Sequence, residues 1–290
     1  MSQNGASNNS AGAKVALYAM LLMAGVLFLT PLVWMAATSL KPEKQAASQE
    51  IRLLPDPASS VFHQAKQNYT EVWHDPSVIF PVYLRNTLIV AGLAVVGMTL
   101  SSAIVAYGLS RIQWPGRGAV FFTVLLSMMI PFPVIMVPLF LVFRELGWTG
   151  TLMPLWVPAW FGGAFNIFML RQFFMGIPKE LDEAARIDGF SQWGIFWRVI
   201  VPLSRPALAV VALFHFIYVW NDFLAPLVFI TSRDQFTLAL GLQLYQSKSG
   251  LTPWNLLMAA STMVVAPVLV LFVVAQGSLV RGVAAAGLKE

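Results

Sequence analysis

The residues best placed to do chemistry lie in one charged stretch, Ile177-Pro-Lys-Glu-Leu-Asp-Glu-Ala-Ala-Arg-Ile-Asp-Gly189. Pro178 suits the first position of a helix, and Gly189 suits the left-handed residue just past its end. Glu180, Asp182 and Glu183 fall toward the amino end and Arg186 toward the carboxyl end, complementing the helix dipole. The pattern predicts a short aqueous helix of roughly three turns. Leu181, Ala184 and Ala185 share a face by helical spacing. Side chains that small let a second surface approach closely, while Glu183 offers a charge to an arginine or lysine. This is the chemistry of docking. A helix lying on lipid headgroups would favour Lys and Arg instead.

A second set of candidates sits inside long apolar runs. Asp222 stands with Trp220 and Asn221, and His215 precedes it by two helical turns. A carboxylate costs roughly 2.5–3.5 kcal/mol at the bilayer centre on insertion scales, so it is a functional suspect by default. One face carrying both groups could relay protons. The competing reading is structural: Asn221 and Asp222 bond to the backbone or to neighbouring helices. Asn166, between Gly162-Gly163 and Arg171, has the same two readings. Trp156, Trp160, Phe161 and Phe165 could stack on the flat faces of a solute or form an interfacial aromatic belt.

Several chemistries are excluded by type alone. Cysteine is absent, which removes disulfides, thiolate zinc sites and thiol catalysis. The three histidines, His63, His74 and His215, are too dispersed for a metal site. Neither H-E-x-x-H nor G-x-S-x-G occurs. No G-x-x-x-x-G-K-[ST] loop is present either, so the chain does not cradle ATP phosphates itself. Net charge is +5, but the basic residues are scattered singly at the ends of apolar runs. That is not the clustered, aromatic-interleaved pattern of a nucleic-acid groove.

The elements that must position these groups are membrane spans. Of 290 residues 58% are hydrophobic and only 11% charged, more apolar than one globular core absorbs. Residues 1–14 read as a disordered tail and Val15–Ala37 as an uncleaved first span, since a signal peptide's apolar core is only about 7–15 residues long. Residues 38–84 are proline-rich and polar, an extracytoplasmic loop. Further spans are expected at Asn86–Ser110, Gly118–Phe143, Thr151–Phe174, Arg205–Ile230 and Asn255–Val280, with the polar segment 176–204 between the fourth and fifth. The expectation is an all-α polytopic protein of about six spans with both termini on the cytoplasmic side. A small majority of the 18 Lys and Arg then fall inside. Pro131, Pro133 and Pro138 in the third span free carbonyls and kink it, which favours a helix lining a pathway.

Glu183-Ala184-Ala185, then Gly189, then Val199-Ile200-Val201-Pro202 resembles the EAA motif of binding-protein-dependent ABC importer permeases. That motif runs EAA, three residues, G, nine residues, then I-x-L-P. The spacing is kept, with Val199 and Val201 in place of Ile and Leu. Arg85-Asn86-Thr87, Ala106–Arg111, Trp114–Arg117, Arg171–Phe174, Trp220-Asn221-Asp222 and Gly287-Leu288-Lys289 extend the likeness to the carbohydrate-uptake branch. Their order from Asn86 onward is similar to the maltose-permease G subunit class.

The resemblance implies a multi-pass permease of a bacterial or archaeal inner membrane, itself no enzyme. It implies a second permease subunit, a dimeric cytoplasmic ATPase that holds ATP and Mg, and an extracytoplasmic solute-binding protein. Glu183, Ala184, Ala185, Asp188, Gly189 and Pro202 would couple to the ATPase, and the expected cargo is a sugar or related polar solute. Pro131, Pro133, Asn166, Trp220, Asn221 and Asp222 are candidates for the path or its gate. The rival is an ion-coupled secondary transporter using Asp222, but that class shows internal repeats and several intramembrane ionisable groups, and neither is evident here.

Overall fold

The computed structural model describes residues 5–48, 50–246 and 252–287, and among these every regular element is helical. The chain divides into two compact units, Met1–Val78 with Leu244–Val265 and Ile79–Gln243 with Ala266–Glu290.

In the first unit, α1 runs Gly5–Ser39, followed by the single turn α2 (Glu43–Ala46) and by α3 (Val61–His74). The polar segment 5–14 is thus helical rather than disordered, while residues 1–4 lie outside the described residues. Propagation accounts for the difference: once the apolar run has nucleated, each added residue gains a hydrogen bond at the cost of fixing one residue. Asn68 of α3 ties the unit together. Its amide donates to the carbonyls of Ser39 (2.7 Å) and Lys41 (2.9 Å), and its Oδ1 accepts from Gln64 and Asn255, each at 3.0 Å. Lys41 lays its ammonium 4.4 Å from the centre of the Trp34 ring, and burial holds its pKa below the ordinary lysine value. The ion pairs of Arg52 with Glu50 and Asp56 are exposed and contribute little.

The second unit is organised on α4 (Phe80–Ser110). This span starts six residues before the expected Asn86. Pro81, read as part of the loop, instead sits in the first turn, where a missing N–H is harmless. Asn86 donates to the carbonyls of Asp234 (2.8 Å) and Phe236 (3.0 Å), and Thr87 Oγ1 accepts the Leu238 N–H at 2.8 Å. Ala91, Ala94, Ala103 and Ala106 are all buried, a face of small residues that lets neighbouring helices approach closely. At Gly97 an added Cβ would overlap the Trp160 indole.

The third span is not one kinked helix. α5 (Arg117–Ser127) and α6 (Phe132–Glu145) meet at 98°. Pro131 and Pro133 withdraw two N–H donors and crowd the carbonyls four residues back, where a single proline would only have kinked the helix. The fourth span, Met153–Met175, comprises α7 (Met153–Trp156), a 3₁₀ segment at Val157–Phe161, the break Gly162-Gly163 and α8 (Ala164–Met175).

Next come α9 (Glu180–Ile187), α10 (Gln192–Ile195) and α11 (Val201–Leu203), with a π-helical stretch at Phe196–Ile200 joining the last two. They lead at a 78° bend into α12 (Arg205–Trp220). This helix stops at Trp220, ten residues short of the expected end of the fifth span at Ile230, and α13 (Leu224–Phe229) follows a short break. Last are α14 (Leu238–Gln246) and α15 (Trp254–Gly287). Among the described residues four helices qualify as spans by length and apolarity, and the number reaches six if each bent pair is counted as one span.

Candidate functional site

The charged stretch folds into α9 within the bounds its punctuation set. Gly189 adopts φ +82°, the Phe190 N–H bonds the Ala185 carbonyl at 2.9 Å, and the Gly189 N–H bonds the Arg186 carbonyl at 3.0 Å. These two bonds form a Schellman cap, which closes the helix on its left-handed residue. Asp188, exposed, is the residue between helix and cap.

The faces of α9 separate more finely than the sequence suggested. Ala185 points inward, 5% exposed, into a cluster with Tyr107, Leu170, Phe174, Ile195, Phe196 and Ile200. It supports the helix from below, and Ala184 is the small residue left on the outside. Glu180, Glu183, Ala184 and Ile187 form an exposed stripe at helical spacing. Ile187 is 86% exposed, a large apolar side chain at the tip of an acidic helix. The cluster draws on α4, α8 and the segment after α9, so the base under α9 is built from several elements.

Asp182 lies on the inner face, 6% exposed, and carries no weight beyond the helix dipole in the sequence reading. In the structure it accepts two hydrogen bonds from Arg111, at 2.8 Å from Nε and 2.9 Å from Nη2. The sequence held one signal for this pairing, a basic residue ending a span beside an aqueous turn. What it lacked was the partner, 71 positions away.

Pro202 opens α11 after the π-helical stretch, where the Val201 N–H reaches the Phe196 carbonyl. A proline at 202 cannot donate to residue 198 and crowds that carbonyl, which is relieved by widening the preceding turn. Tyr107 donates to Gln192 Oε1 at 2.9 Å, and its ring lies 5.1 Å from that of Phe196. The segment from α9 to α11 is therefore fastened to the end of α4 at more than one point.

The path candidates fall on three separate elements. Pro131 and Pro133 lie at the exposed start of α6. Asn166 is 8% exposed on α8, beside the break where the Gly163 N–H donates to Ser102 Oγ at 3.2 Å. Trp220 is buried and stacks on Phe216 at 5.1 Å. Asn221 returns its amide to the Ile217 carbonyl at 2.8 Å, and Asp222 accepts the Ala225 N–H at 3.2 Å. Asn221 thus closes α12 and Asp222 opens α13. The helical face imagined to join His215 to Asp222 ends at Trp220; the His215 ring stacks on Tyr218, 5.9 Å away. Of the aromatics, Trp160 packs on Gly97, Trp156 packs on Ala94, Met98 and Ala159, and Phe161 is 79% exposed.

These features can be set beside known proteins. The chain is 33% identical over 270 residues to the trehalose/maltose transport system permease protein MalG of Thermococcus litoralis, covering 92% of this chain and 94% of that one. It is 31% identical over 281 residues to the arabinooligosaccharides transport system permease protein AraQ of Bacillus subtilis, covering 95% and 96%. In fold it resembles a chain of a bacterial ABC transporter involved in the import of the acidic polysaccharide alginate, with TM-score 0.78 at 24% identity, covering 96% of this chain and 99% of that one. Residues 98–285 match the family of the binding-protein-dependent transport system inner membrane component, and the chain belongs to that family of ABC importer permeases.

Proposed function

We propose that this chain is one of two permease subunits of an ABC importer for a sugar, oligosaccharide or related polar solute, with α9 docked in a separate, dimeric cytoplasmic ATPase. The observation that carries the reading is the two-sidedness of α9. Its inner face is fixed to the membrane part through Asp182 and Ala185, while Glu183, Ala184 and Ile187 stand free on the outer face. A helix with one face anchored and one bare is built to receive a partner. ATP and Mg would be held on that partner.

The cargo class rests on relatives named for trehalose/maltose and for arabinooligosaccharides. A similar solved chain belongs to an alginate transporter whose complex includes a periplasmic protein carrying an alginate pentasaccharide. By analogy the segment 38–84, with its own helix α3, would meet a solute-binding protein outside. Both termini and the turn at 111–117 would be cytoplasmic. Lys248 and Lys289, which this topology places outside and inside, lie outside the described residues.

The orientation is open to direct test because the native chain has no cysteine to interfere. Gln113→Cys should be labelled by an impermeant thiol reagent only after the inner membrane is opened, and Ala58→Cys in intact spheroplasts. Labelling of position 113 from outside would invert the topology and remove α9 from the ATPase side.

A further inference from the structure

We propose that Arg111 and Asp182 form the joint through which α9 and the span α4 move as one body, making Arg111 a positioning residue for coupling. The inference deepens the docking reading above and rests on it for its role in transport. Its geometry stands independently. Arg111 is the residue that ends α4, and Asp182 is in the first turn of α9. Their side chains are 3% and 9% exposed.

The guanidinium carries five N–H donors, and each has an acceptor. Nε and one Nη2 hydrogen bond the two carboxylate oxygens of Asp182. Nη1 donates to the carbonyls of Phe174 (3.2 Å) and Ile177 (2.7 Å), and the second Nη2 donor goes to Pro178 (3.1 Å). The Phe174 carbonyl belongs to the last turn of α8 and also accepts the Ile177 N–H at 3.1 Å. One planar group therefore ties together the ends of two spans and the beginning of α9. Lysine could not replace it, having a single point charge and three donors.

A buried pair of this kind is a weak source of stability, because desolvation offsets its attraction. What it supplies is one geometry. The apolar cluster beneath α9 holds the helix down, but apolar contacts tolerate sliding and rotation. The bidentate fork fixes where the first turn of α9 sits relative to the end of α4. A push on the outer face is then delivered to the span instead of being lost in a rocking of the helix.

The test uses the full chain purified with its partner permease and ATPase, in which spin labels report two quantities. Labels at Val96→Cys and Arg186→Cys give the distance distribution between α4 and α9. A single label at Leu88→Cys, near the outer end of α4, reports the spectral change when a non-hydrolysable ATP analogue binds the ATPase. With the pair intact the distribution is narrow and the change is full. In Asp182→Asn and in Arg111→Lys the ATPase should still co-purify, the distribution should broaden, and the ATP-induced change should fall about tenfold, within the usual range for coupling between sites.

If an unpaired buried charge prevents recovery of the single variants, the uncharged double variant Arg111→Met/Asp182→Leu carries the same two readouts, with the same result expected. A narrow distribution, or a full ATP-induced change, in any recovered variant overturns the proposal. So does failure of every variant to assemble, which would assign the pair to folding alone. Glu183→Lys separates the two levels: it should leave the Val96–Arg186 distribution narrow even as docking is lost. If Glu183→Lys docks normally, the docking reading fails while the result for the joint stands.

Discussion

Glu183→Lys is expected to abolish ATP hydrolysis stimulated by the loaded solute-binding protein, together with uptake, while the chain still inserts and pairs with its partner permease. Glu183 is exposed on the outer stripe of α9, away from the cluster and ion pair that hold the helix, so the substitution does not disturb the fold. Its effect is confined to the interface. Reversing the charge sets like charges together in a partly desolvated contact, which costs about 3 kcal/mol, a loss of about a hundredfold in affinity. Basal hydrolysis by the isolated ATPase should be untouched, and an acidic substitution at the facing basic residue should restore part of the uptake. Stimulated hydrolysis at the parental level in Glu183→Lys would remove Glu183 from the interface.

The second large effect is at Gly189, where cause and outcome differ. A Cβ built there meets nothing within 4 Å, so no clash forbids a side chain. The obstacle is φ +82°, a conformation that costs an ordinary L residue about 1–2 kcal/mol and a β-branched one more. Gly189→Val should open the Schellman cap, free the Ala185 and Arg186 carbonyls and misdirect the chain entering α10. Uptake should fall about tenfold or more, on the scale of 1.4 kcal/mol per factor of ten. Asparagine tolerates the left-handed region, so Gly189→Asn should keep most of the activity although it is no smaller. Equal losses in Val and Asn would mean that bulk, not backbone conformation, matters at 189. Unlike Glu183→Lys, neither variant should respond to charge changes on the ATPase.

Local chemistry made α9 legible from the sequence. Pro178, the acidic first turn and Gly189 act within a few residues of one another, and the structure places the helix between them. The same locality hid what α9 rests on. A face read from spacing grouped Ala184 with Ala185, yet adjacent positions on a helix diverge by about 100°, and tertiary packing chose Ala185 for the inside. The Arg111–Asp182 fork joins residues far apart in the chain, which no periodicity reports.

Spans were legible as apolar runs but not as helices. Hydropathy is indifferent to whether Trp220-Asn221-Asp222 continues a helix or ends one. Asn221 and Asp222 each bond a backbone group at the break. Pro131 and Pro133 were legible as a disturbance, though not as a 98° turn, because the angle depends on what packs on either side.

The most direct test of the account is to ask what the outer face of α9 touches in the native membrane. A photo-activated crosslinker placed at position 187, where the parental isoleucine is 86% exposed, should capture one principal protein on irradiation of intact cells. Mass spectrometry should identify that protein as a chain carrying a G-x-x-x-x-G-K-[ST] loop, the phosphate cradle this chain lacks. Capture of lipid alone, or of an extracytoplasmic protein, would contradict the assignment of α9 as the helix that couples this permease to ATP hydrolysis.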